Sequence, residues 1–221
     1  MAHPISAVCL ALISLALGAC VAKPTYIIDS EAPLRGTVSD TAIAVVDKRP
    51  AKDRESNFGS LLITSDSYGI LTLGDERFVP APLTALTQRL QRATATWPSR
   101  PQSITVTVNR FNTQNNAQAA MRHGAMNSTG LTSLGMDLGE LMLGKMREQN
   151  VDMRKPFVLC IIEASAESRS RDDRSEPRKI SVIKAQNYDE NAGAGQSQGQ
   201  DQIIAATVSS ALDAVITALA K

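Results

Sequence analysis

Apolar and polar positions change period several times along this chain, and each change marks an element. Ile43, Ala44, Val45 and Val46 form a short apolar run that closes at Asp47-Lys48-Arg49-Pro50, which predicts a buried strand and a turn. After a polar loop over 51–60, Leu61–Thr64 and Tyr68–Leu73 read as strands joined through Ser65-Asp66-Ser67. Pro80 and Pro82 then open a helix with Leu83, Leu86, Leu90, Ala93 and Trp97 on one face. Gln88, Arg89, Gln91 and Arg92 fall opposite, and Pro98 and Pro101 end it. Ile104, Val106 and Val108 alternate with threonines, the period of a half-buried strand.

The segment PFVLCIIEA, 156–164, is continuously apolar, and KISVIKA, 179–185, follows a charged spacer, so the two predict a long hairpin with a polar tip. A polar loop over 187–200 leads to a last helix, expected to be capped by Asp201. Its stripe is Ile204, Val208, Ala211, Leu212, Val215, Ile216 and Leu219. This order predicts an α+β fold: a small mixed β-sheet with two main helices packed on one face.

One segment breaks the pattern. Within 117–148, Leu131, Leu134, Leu138, Leu141 and Met142 keep helical spacing, while Met136, Leu143 and Met146 spread onto other faces. Five glycines from Gly124 to Gly144 interrupt it, each costing roughly 1 kcal/mol inside a helix. This Gly/Met-rich helical insertion has two readings. It is a core helix whose glycines ease packing on the sheet, or it is an adaptable partner surface formed by Leu134, Met136, Leu138, Met142 and Met146.

The first residues read as an address rather than a fold, the alternatives being a plain signal peptide or a buried first helix with Cys20 incidental. Ile5 to Leu17 is apolar but too short for a bilayer core, which needs roughly 20 residues of helix. Small residues and a cysteine follow, the layout of a secretory signal. The stretch Leu17-Gly18-Ala19-Cys20 resembles the lipobox of bacterial lipoproteins. That resemblance implies cleavage before Cys20 and a diacylglyceryl thioether on its thiol, with acylation of the new amine. Two or more acyl chains anchor a protein stably. The absence of Asp at position 21, where Val21 stands, implies outer-membrane retention by the enteric sorting rule. The expected organisation is a signal peptide over 1–19, a lipidated tether over 20–40 and a single periplasmic domain over 41–221. Tyr26, Ile27 and Ile28 are the tether residues that could dock on the body.

Composition narrows the role. A hydrophobic content of 43% and a net charge of +1 fit a folded body and give no electrostatic case for nucleic acid. Aromatics at 4%, with Trp97 the sole tryptophan, argue against stacking platforms. No later apolar run is expected to span a membrane. Cys9 leaves with the signal and Cys20 is lipidated, so Cys160 is expected as a buried structural thiol.

No catalytic set stands out. His123 is the one histidine beyond the signal, and no Ser lies in a G-x-S-x-G elbow. Gly193-Ala194-Gly195 has the wrong spacing for a phosphate loop. The cluster from Arg169 to Lys179, with Asp172-Asp173 inside it, reads as a solvated tip. Asp47, Arg49 and Asp75 fall at strand ends, where turn capping and ion pairing account for them better than acid/base work does. No cofactor or metal is expected.

The run Ile43–Pro50, the hairpin strands after it, and Pro82-Leu83-Thr84-Ala85-Leu86 opening a helix resemble the YajG-type family of outer-membrane lipoproteins. The resemblance covers about half of the mature chain. It implies a small sheet-and-helix lipoprotein with no catalytic residues to carry over, and 117–148 and 165–178 depart from it. The expected function is a membrane-anchored, non-enzymatic envelope lipoprotein that binds an envelope protein. The alternatives are an accessory subunit of a transport or secretion system and, further off, an envelope hydrolase.

Overall fold

A computed structural model describes residues 25–28, 40–58, 71–118, 135–169, 176–188 and 197–220. The lipobox with Cys20, the expected strand at 61–64, His123, Leu134, Asp172-Asp173 and the 193–195 glycines lie outside the described residues, as do the side chains of Met136 and Leu138.

The fold is α+β. Its strands are β1 (Tyr26–Ile27), β2 (Ala42–Asp47), β3 (Asn57–Phe58), β4 (Leu71–Leu73), β5 (Phe78–Val79), β6 (Ser103–Gln114), β7 (Phe157–Arg169) and β8 (Arg178–Asn187). The helices are α1 (Pro82–Thr96), α2 (Gly135–Glu148) and α3 (Ser197–Leu219). A six-stranded mixed sheet runs β3-β4-β6-β7-β8, with β2 also paired to β6, and β1 and β5 form a separate two-stranded ribbon.

Strand β6 organises the sheet. Along one side it pairs antiparallel with β7. Along the other it pairs first with β2, in parallel from Ala42↔Ser103 to Asp47↔Val108, and then with β4 at Thr72↔Gln114 and Leu73↔Thr113. Two strands therefore lie end to end on one edge. The β6–β7 register shifts between Val108 and Arg110, close to where β2 gives way to β4, and such bulges commonly re-aim a strand.

β2 is less buried than its apolar run suggests. Among the described residues it pairs only with β6, and its residues alternate between half-buried and exposed, with Val46 on the open face.

The two faces of the sheet carry separate cores. Val106, Phe111, Cys160 and Ile162 face α1 and α3, which supply Leu86, Leu90, Val208, Leu212 and Val215. On the other face Phe157, Leu159, Ile161 and Ile183 meet Ala117, Met142 and Met146. This explains the unbroken run at 157–162: both faces of β7 are covered there, whereas beyond Glu163 the burial alternates.

The hairpin of β7 and β8 is paired from Phe157↔Asn187 to Ala166↔Arg178. The strands run further than the apolar pattern shows, because the polar residues near the tip are still hydrogen-bonded in the ladder. Among the described residues strand β8 is an edge strand, and edges left bare template aggregation. The Gln149 amide covers part of this edge, donating to the Ile183 carbonyl at 3.1 Å and accepting from the Ala185 amide at 3.1 Å.

α2 ends in a Schellman motif. Asn150 takes the left-handed position at φ 55°, its amide donates to the Arg147 carbonyl, and the Val151 amide donates to the Met146 carbonyl. Val151 also packs on the α2 core, the hydrophobic contact that usually accompanies this motif.

Three sequence expectations change. α3 starts at Ser197, so Asp201 sits inside the helix rather than capping it, and burial raises its carboxyl above the usual range. The α1 stripe centres on Ala85, Leu86, Leu90 and Thr94. Thr94 can occupy a wholly buried position because its hydroxyl donates to the Leu90 carbonyl at 2.8 Å. By length and composition, Gly199–Leu219 of α3 is apolar enough to cross a membrane, contrary to the sequence reading. In this fold, however, its Ile204, Val208, Leu212 and Val215 are packed in the core.

Candidate functional site

The carboxylates flagged in the sequence, Asp47 and Asp75, come together at the break between β2 and β4. Asp47 is the last residue of β2, and Asp75 opens a 3-10 turn just after β4. Arg49 lies between them, 2% exposed. Its Nε and Nη2 donate to the two Asp47 oxygens, each at 2.9 Å. Nη1 and Nη2 donate to the two Asp75 oxygens at 2.9 and 2.7 Å. The guanidinium also stands 5.9 Å from the Phe111 ring centroid, within cation–π range.

The turns around this cluster are tied to each other. The Arg54 side chain donates to the Arg49 carbonyl and pairs with Asp47. The Asp75 amide donates to the Arg54 carbonyl at 2.8 Å. Ser56 Oγ accepts from the Gly74 amide and from Arg77 Nε, and the Ser56 amide donates to Glu76. Gly74 is required here by close approach, since a Cβ would run into the backbone of Glu55 and Ser56.

This geometry does not suit acid/base chemistry. Hydrogen bonds from Arg49 hold the Asp47 carboxyl below its ordinary range despite partial burial, so it stays ionised at neutral pH and is a poor proton donor. The bonds to Asp47 and Asp75 likewise raise the Arg49 pKa against the effect of its own burial. The cluster is a charge-balanced latch across a gap in the sheet.

The second feature is the seam between α1 and α3, where β1 docks. Tyr26 and Ile28 are buried in the main core while Ile27 points out. The Ile28 amide donates to the Val79 carbonyl at 3.0 Å. The Ile28 carbonyl accepts from Ser209 Oγ at 2.7 Å and from Arg89 Nη2. Arg89 also donates to the Ser209 carbonyl, the Ser209 hydroxyl and Asp213. Periodicity assigned Arg89 to the solvent face of α1. It instead clamps α3 and β1 together, because a long side chain on the flank of a helix reaches a neighbour that the helical period does not reveal. An open groove of about 600 Å³ runs along this seam, lined by Ile27, Arg92, Ala93, Ala205 and Ile216 among others.

The remaining sequence candidates are placed as follows. Met142 and Met146 are 5% and 1% exposed and closed on the sheet, so they are core residues and not a partner surface. Their helix is oriented by the apolar face of β7 and β8, which takes up both methionines, and Leu141 and Leu143 of the same helix are exposed instead. Cys160 is fully buried. Desolvation, opposed by the Thr113 hydroxyl, pushes its thiol up to about 12, which fits a structural thiol.

No family model matches the sequence, and no curated protein matches it. Among solved structures the chain is similar to a minor lipoprotein from Acinetobacter baumannii, at 10% sequence identity and a TM-score of 0.29, over 83% of this chain and 93% of that one. At that TM-score the likeness carries no argument about fold or function.

Proposed function

We propose that this chain is a membrane-anchored, non-enzymatic lipoprotein of the cell envelope. Lipid on Cys20 holds it to the outer membrane, and its α+β body, facing the periplasm, serves as a protein-interaction or structural module. The observation that carries the reading is the apolar run ending in Leu17-Gly18-Ala19-Cys20. Two further points support it. Asp47 and Asp75, the carboxylate pair best placed for chemistry, spend their oxygens on Arg49. β1 lies six residues beyond Cys20 in sequence and is packed into the fold through Tyr26 and Ile28, which fits a body held close to its anchor.

The alternative, an accessory subunit carrying a ligand for an envelope transport system, would need a cavity lined by the Leu and Met residues of 131–146. Met142 and Met146 are packed shut against the sheet instead, which speaks against it.

The test is metabolic labelling of cells with an alkyne fatty acid, followed by mass spectrometry of the N-terminal peptide and cross-linking of the intact protein. Acyl mass on Cys20, its loss in Cys20→Ser, and one dominant envelope protein cross-linked to the wild type alone are expected. An unacylated, freely soluble wild type would overturn the reading.

A further inference from the structure

We propose that the body rests against the bilayer through the exposed face of the β1–β5 ribbon, at Ile27 and Val79, with a lipid surface as the occupant of that face. The inference rests on the reading that Cys20 carries the lipid.

The length of chain between the anchor and β1 decides it. From Cys20 to Tyr26 the chain advances by six residues. A fully extended chain covers at most about 3.5 Å per residue, so the reach is about 20 Å. Were the fold to begin only at β2, with Asp40 as the first fixed residue, the same limit would allow about 70 Å, enough to hold the body clear of the membrane.

The clamp at the helix seam sets the shorter value. Tyr26 and Ile28 are 5% and 3% exposed, and the Ile28 carbonyl is held by Arg89 and Ser209. A lipidated Cys20 lies at the headgroup boundary, so β1 cannot leave the neighbourhood of that boundary while the clamp is closed.

The ribbon presents the right chemistry at that place. With Tyr26 and Ile28 turned inward, Ile27 turns outward, and the β1–β5 register sets it beside Val79. These two are 65% and 51% exposed, more than any other large apolar side chain among the described residues. Single exposed apolar residues need no explanation, but here two from different strands stand side by side within reach of the anchor. The remaining exposed large apolar side chains among the described residues are Val46, Leu141, Leu143 and Met153, each less exposed than this pair, and Leu141 and Leu143 sit on α2, across the sheet from the seam.

The experiment uses the full-length lipidated protein in vesicles of phosphatidylethanolamine and phosphatidylglycerol. An environment-sensitive fluorophore is attached at Ile27→Cys, or at Val79→Cys as a second ribbon site. Leu141→Cys is the control, and the buried Cys160 stays unlabelled. Brominated lipids are expected to quench the ribbon probes at least twofold and to leave the control unchanged. Acyl mass on Cys20 is measured on each sample. Acylated protein with ribbon probes no more quenched than the control overturns the seating while leaving the anchor intact. Absence of acyl mass overturns the anchor reading, and the seating with it.

Discussion

Arg49 and Asp75, 26 residues apart in sequence, are joined by two side-by-side hydrogen bonds of 2.9 and 2.7 Å across the break between β2 and β4. Strands that share one edge of β6 without pairing with each other leave a gap, and this pair fills it with charge rather than with apolar packing. The same guanidinium binds Asp47 with its other edge, so one side chain fastens the ends of both strands.

The first prediction follows from the burial of Arg49. Arg49→Ala leaves two carboxylates facing each other beside a cavity over Phe111. Removing one partner of a buried ion pair costs roughly 3–5 kcal/mol. The low end, about 3 kcal/mol, is expected here because the Asp47 and Asp75 side chains are 27% and 29% exposed. Asp75→Asn, which keeps the shape, should cost less. Urea unfolding measures both, and an Arg49→Ala protein within 1 kcal/mol of wild type would show that the latch is idle.

Asp47 predicts a pH dependence with a definite sign. Its folded pKa is depressed, chiefly by the Arg49 hydrogen bonds. The folded state therefore holds its proton more weakly than the unfolded chain does, whose carboxyl titrates near 3.9. The resulting stability is present above that value and is lost as pH falls through it toward the folded pKa. Wild type should be more stable than Asp47→Asn at pH 6, and the difference should shrink below about pH 4. Acid titration of unfolding free energy for the two proteins checks this, and a constant difference down to pH 2 would rule it out.

The elements were legible wherever one period held over a whole segment. The alternation of Ile104, Val106 and Val108 gave a strand, and the spacing of Leu86 and Leu90 gave the buried side of α1. The continuous run at 156–164 gave a strand of the hairpin, but that α2 covers its second face over 157–162 was not legible, because it depends on where the Gly/Met-rich segment packs. The clamp was not legible. Arg89 stands among polar residues on α1, and nothing local records that Ser209 and Ile28, 120 and 61 residues away, converge on it. The pairing of Arg49 with its carboxylates was legible in kind from the strand-end positions of Asp47 and Asp75. Its burial was not, because that depends on β2 and β4 meeting on one strand.

Two glycines should respond oppositely to alanine. Gly74→Ala forces a methyl into the backbone of Glu55 and Ser56 and disturbs the turn that presents Asp75. Overpacking of this kind costs about 1–3 kcal/mol. Gly144 lies inside α2, and a Cβ there would meet nothing within 4 Å. Gly144→Ala should therefore stabilise by about 1 kcal/mol through helix propensity alone. Paired thermal melts decide this, and a destabilised Gly144→Ala would mean that a partner approaches α2 at that position.

Arg89→Ala tests the clamp on which the short anchor arm depends. The Arg89–Asp213 ion pair is worth little by itself, since the Asp213 side chain is 64% exposed. The bonds to the Ile28 and Ser209 carbonyls are different, because the first holds β1 to α1 and the second ties α1 to α3, so together they close the seam on which β1 sits. Losing them should lower hydrogen-exchange protection of the Ile28 amide, which is bonded to Val79, by about tenfold, equivalent to about 1.4 kcal/mol of local opening. Lysine should not restore protection, because one ammonium cannot span acceptors on β1 and α3 in the fixed fork that a guanidinium provides. Ser209→Ala, which removes one donor to the same carbonyl, should show a smaller loss. Unchanged protection at Ile28 in Arg89→Ala would mean that the buried side chains of Tyr26 and Ile28 hold β1 without help, and the clamp would then be incidental to the length of the tether.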